Sequence, residues 1–101
     1  MNLEQFNDCF SPERETLVVA WSATDYLVYE GEAGAVTIDW EEFKAQLERR
    51  KEKAVVIHNH PDNGMPSVAD RAMAITLISV LHYQVKMYIF NSQSQKYYEY
   101  A

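Results

Sequence analysis

Residues 54–70 read Ala54-Val55-Val56-Ile57-His58-Asn59-His60-Pro61-Asp62-Asn63-Gly64-Met65-Pro66-Ser67-Val68-Ala69-Asp70. The first four are a short apolar run, the pattern of a buried strand, so His58 and His60 fall at its carboxyl end. Pro61, Asn63, Gly64 and Pro66 then force a loop. Ser67-Val68-Ala69-Asp70 has the Ser-x-x-acid form of a helix start. Strand end, loop and first helical turn converge and carry two imidazoles and a carboxylate toward one point. A His, His, Asp set leaves one position open on tetrahedral Zn²⁺, and that open position separates catalytic from structural zinc. Each feature has an ordinary explanation alone. Ser67 can be an N-cap, Asp70 its partner near the positive end of the helix dipole, and the histidines loop residues. Their coincidence within thirteen residues favours a metal site at His58, His60 and Asp70.

Strand patterns flank this stretch on both sides. Thr16–Trp21 reads as a strand and 25–30 as its antiparallel partner, joined by a turn at Ser22-Ala23-Thr24. Gly31 and Gly34 break the chain before a third short strand at 35–38. Asp39 is a good N-cap, and Trp40, Phe43 and Leu47 recur at helical spacing, so a helix runs from there and ends before Ala54. A second helix is predicted over about 68–81. Its near-continuous apolar content implies burial on most sides, with part of the surface covered by a second copy of the chain, a homodimer. Two strands, about 85–90 and 96–100, close the chain around the polar turn 91–95. Residues 1–12 are left open between a short helix and an amino-terminal arm, with Pro12 marking a break or helix start. Tyr97, Tyr98 and Tyr100 are expected to pack on a sheet face, and His82 reads as a core or boundary histidine. Asn59 reads as structural, its amide tying the ligand loop to backbone groups.

A chain of 101 residues is one domain, long enough to bury a core without staples. The single Cys9 cannot form an internal disulfide and reads as a packed or partly exposed spectator. With no signal-peptide pattern and no twenty-residue apolar span, a cytoplasmic location without a membrane partner is expected. The net charge of −6 disfavours nucleic acid as a partner. The basic cluster Arg49-Arg50-Lys51-Glu52-Lys53 closes a helix, where positive groups complement the dipole and need no ligand.

His58-Asn59-His60-Pro61, a spacer, then Ser67-Val68-Ala69-Asp70 resembles the signature of the JAMM (MPN+ or JAB) metalloproteases, and most closely their RadC-like branch. That branch also places Asn between the histidines and Pro just before the Ser, as Asn59 and Pro66 do here. The resemblance extends from about Glu13 to Tyr100. Six residues separate His60 from Ser67, one fewer than the family usually has. The Asp-His pair that RadC-like chains commonly carry after the helix is absent, and the region reads Val85-Lys86-Met87-Tyr88.

The resemblance implies an α+β fold, a mixed central sheet flanked by helices of JAMM/cytidine-deaminase-like type, spanning residues 1–101 as one domain. It implies a zinc held by His58, His60 and Asp70, although the same ligand types suit Mn, Fe or Co. It also implies a general base upstream of the histidines. Glu15 is the best match, because Arg14-Glu15-Thr16-Leu17 resembles the RadC-like entry into the first strand and alternation puts Glu15 on the face of Leu17, Val19 and Trp21. Glu13 has the same parity but lies further out. Ser67 would donate a hydrogen bond to a developing oxyanion. The implied activity is a zinc metallopeptidase or isopeptidase acting on a protein or peptide substrate, such as a ubiquitin-like conjugate. The alternatives are a catalytically inactive metal-binding interaction module and a RadC-like factor associated with DNA repair.

Overall fold

A computed structural model describes residues 1–31, 36, 38–50, 53–62 and 64–101. Its regular elements are a 3-10 helix (Leu3–Cys9), β1 (Thr16–Ala20), β2 (Tyr26–Glu30), α1 (Trp40–Arg49), β3 (Ala54–Asn59), α2 (Val68–Ala74), a π-helix (Ile75–Val80), β4 (Val85–Asn91) and β5 (Lys96–Glu99). The five strands form one mixed sheet in the order β2-β1-β3-β4-β5. Only the β3–β4 pair is parallel, and α2 with its π-helical continuation makes the crossover between them. The expected α+β class is the observed one. Of the strand expected at 35–38, residues 35 and 37 lie outside the described residues, and Val36 and Ile38, which are not in a strand, pack against the core.

The sheet is covered on both faces. Leu17, Val19, Val56 and Met87 point to one side and meet Phe43 and Leu47 of α1, Ala74 of α2 and Leu77. Val18, Ala20, Val55, Ile57 and Phe90 point to the other and meet Phe6 and Phe10. Every residue of β1 and β3 is buried, which explains why both read as continuous apolar runs rather than alternating ones. Edge strand β2 alternates, with Tyr26 and Val28 exposed. Residues 1–12 resolve to the helix of the two alternatives, because Phe6 and Phe10 seat it on the sheet and Phe10 stacks on Phe90 at 4.9 Å. Tyr97 and Tyr100 pack on opposite faces, whereas Tyr98 is exposed.

The α1 start follows the sequence reading, with Asp39 accepting a hydrogen bond from the Glu42 N–H at 3.1 Å. The second helix departs from it in two ways. It is α-helical only to Ala74 and then widens, as shown by the Leu81 N–H reaching back to the Thr76 carbonyl at 2.9 Å. Thr76 Oγ1 donates to the Ala72 carbonyl at 2.9 Å, a side chain competing for a helical acceptor. Nor is the helix buried on most sides. Ala74 and Leu77 are buried, but Val68, Ile75 and Val80 are 87%, 59% and 62% exposed. Apolar content alone thus overstated burial, because these side chains point away from the sheet. His82 is neither core nor boundary. It is exposed, with φ 59°, in the left-handed turn that ends the π-helix. Among the described residues no helix is long and apolar enough to cross a membrane.

Candidate metal centre

His58 is the penultimate residue of β3 and His60 follows the strand, so the period of two turns both rings to the same side. The side chain is 6% exposed for His58 and 14% for His60. Asp70 is supplied by the first turn of α2, which is held by a complete capping box. Ser67 Oγ accepts from the Asp70 N–H at 3.1 Å, and Asp70 Oδ2 accepts from the Ser67 N–H at 2.8 Å. The same carboxylate faces both imidazoles. Oδ1 lies 3.1 Å from His58 Nε2, and Oδ2 lies 3.0 Å from His60 Nε2. The two Nε2 atoms are themselves 3.1 Å apart.

One donor atom from each of His58, His60 and Asp70 lies within 4.8 Å of the other two, close enough for one tetrahedral zinc to gather all three. Ligands ~2.0–2.1 Å from the ion stand ~3.3 Å from one another. Nitrogen and carboxylate oxygen are also the donor types that zinc takes, so the residues fit the ion. Burial alone would raise the Asp70 carboxyl pKa. Hydrogen bonds from His58 and Ser67 and the charge of His58 outweigh it and hold the group well below the usual carboxylate range. An anionic Asp70 is the form that binds a metal. His58 Nδ1 is buried without a hydrogen bond among the described residues. Tyr100 packs edge-on against the His58 ring, with centroids 6.0 Å apart.

Of the candidate bases, Glu15 comes to the site. Its Oε1 is 4.0 Å from His60 Nε2, and its side chain is 16% exposed. Glu13 is exposed, with its backbone N–H on Ser11 Oγ. Arg14 pairs with Glu30 at 3.6 Å rather than with Glu15, which is left facing the histidines. Ser67 is exposed at the rim. Its oxygen accepts the capping bond, and its hydroxyl hydrogen remains available to donate. Asp62 Oδ1 accepts the Gly64 N–H at 2.8 Å and shapes the ligand loop. A Cβ at position 64 would meet that oxygen at 2.9 Å, so glycine suits this close approach.

Asn59 is fully buried and structural, as its amide chemistry suggested. Its Oδ1 accepts the Thr16 N–H at 2.8 Å, and its Nδ2 donates to the carbonyls of Ser11 at 2.8 Å and Arg14 at 3.0 Å. Tyr100 was not singled out for this site. Its parity on the last strand was the available signal, since β5 residues of that parity share the face of His58. Neither any family model nor any curated protein matches the chain.

Proposed function

We propose that the protein is a zinc-dependent hydrolase of peptide or isopeptide bonds, with His58, His60 and Asp70 as ligands. The observation that carries this reading is the carboxylate of Glu15, largely buried and 4.0 Å from His60 Nε2. A site that only held a metal would have no use for a second, non-ligating acid at its lip. A zinc ion bound there supplies Lewis acidity and makes water a competent nucleophile near neutral pH. Glu15 takes the proton of the attacking water and delivers it to the nitrogen of the leaving amine. Ser67 Oγ–H donates to the carbonyl oxygen as charge develops on it. Asp70 remains anionic throughout as the third ligand, held in place by the Ser67 N–H.

The test is zinc content on protein purified without chelator, followed by hydrolysis of a peptide and isopeptide panel. Wild type should carry about one zinc per chain, and His60→Ala none. Glu15→Gln should keep its zinc and lose about 10²–10⁴-fold in turnover. Unchanged turnover in Glu15→Gln would overturn the assignment of the base.

A second reading, a metal-holding interaction module, is favoured by one observation. Met65 in the ligand loop and Val68, Ile75 and Val80 on the helical segment that follows it are large apolar side chains left exposed. Zinc binding with no hydrolysis of any panel member, and with Glu15→Gln indistinguishable from wild type, selects it.

A further inference from the structure

We infer that Asn59 is a positioning residue that locks the Glu15 segment to the strand carrying the metal ligands. This rests on the proposed role of Glu15. Asn59 stands between His58 and His60, but the pleat turns its side chain to the opposite face, away from the metal donors. The β1–β3 ladder pairs Leu17 with His58 as its last step, and one step further Thr16 would face Asn59. There the Asn59 amide takes over from the main chain. It accepts the Thr16 N–H and donates to the Arg14 carbonyl, one residue to each side of Glu15. Its second N–H goes to the Ser11 carbonyl and fixes the approach of the chain. The Glu15 carbonyl accepts from the Gly31 N–H at 2.9 Å, which ties the same residue to the chain leaving β2.

The chemistry demands an amide. Two N–H donors and one acceptor are used at once, all in a fully buried position. Aspartate has the shape but no donors, and would turn a carboxylate toward two carbonyl oxygens. The ligands and the base come from segments 43 residues apart, counted from Thr16 to Asn59. One side chain sets their relative position, and a small displacement of a proton acceptor is costly to catalysis.

The experiment loads wild type and Asn59→Asp with Co²⁺ and compares the pseudocontact shifts of backbone amides by NMR. Asn59→Asp should bind Co²⁺ within about threefold of wild type, since no ligand is altered. The shifts of the Arg14, Glu15 and Thr16 amides should change or broaden, while those of Val55, Val56 and Ile57 stay in place. In turnover, Asn59→Asp should approach Glu15→Gln, with the effect in kcat, and the double variant should be no slower than Glu15→Gln alone. Unchanged shifts at 14–16 with Co²⁺ bound, or additive losses in the double variant, overturn the inference. If wild type takes up no Co²⁺ or Zn²⁺, the proposed metal site falls and this inference with it. Should Asn59→Asp fail to fold, hydrogen exchange of wild type decides. A Thr16 amide protected as well as that of Val18 supports the clamp, and one exchanging like an exposed amide overturns it.

Discussion

The two helices open with the same local device and differ in what else it does. At α1, Asp39 accepts the Glu42 N–H, and the acid has no further assignment. At α2, Ser67 and Asp70 cap each other, and the Asp70 carboxylate also contacts both His58 and His60. The helices differ equally in their apolar faces. α1 buries its stripe through Phe43 and Leu47, whereas α2 and the π-helix leave Val68, Ile75 and Val80 in solvent. A cap or an apolar stripe is therefore a statement about local structure. Function enters where such a group faces something the helix does not need.

The largest effect should come from dividing the two jobs of Asp70. Asp70→Asn keeps an acceptor for the Ser67 N–H but removes the anionic ligand, so zinc affinity should fall by more than about 100-fold while the helix start survives. Isothermal titration with Zn²⁺ and far-UV circular dichroism read the two separately. Next, Ser67→Ala should keep the zinc and slow turnover by about 10²–10³-fold. It should also lower stability by about 1 kcal/mol through loss of the cap. Asp39→Ala should show that same stability loss in urea denaturation and no change in zinc content, and a change in zinc would erase the contrast.

The acid limb of metal-free stability sharpens the comparison further. The Asp70 carboxyl titrates lower in the folded protein than in the unfolded chain, so folding favours its charged form. That contribution is complete above the unfolded value of about 3.9 and is lost as pH falls from there toward the folded one. Denaturation midpoints measured from pH 6 down to pH 2 should therefore drop more steeply for wild type than for Asp70→Asn. The smallest effect concerns the exposed face of the second helix. Sedimentation equilibrium should show weak self-association that Ile75→Lys removes, with unfolding unchanged within about 0.5 kcal/mol. A strict monomer at high concentration would remove the expected homodimer.

Most of the framework was legible because it depends on short-range patterns. β1 and β3 show as unbroken apolar runs, α1 as a cap followed by a stripe, and β4 and β5 as apolar segments around a polar turn. The group that could hold a metal was legible for the same reason, since His58, His60 and Asp70 lie on one strand end, one loop and one helical turn. Glu15 needed the alternation of its strand as well as the resemblance. What was not legible depends on distant or competing groups. The π-helix arises where the Thr76 hydroxyl competes for the Ala72 carbonyl, which residue counting does not register. The amino-terminal helix needs a partner at Phe90, far along the chain, before Phe6 and Phe10 have anywhere to go. The three bonds of Asn59 likewise point to residues that only the fold brings near.

Tyr97 Oη donates to Asn7 Oδ1 at 2.6 Å, a contact between residues 90 apart. Closing a flexible loop of that length costs about 4 kcal/mol of chain entropy, several times what one hydrogen bond returns. That bond is therefore expected to form only after β1, β3 and β4 have assembled, and substitutions at Asn7 or Tyr97 should speed unfolding while leaving the folding rate unchanged.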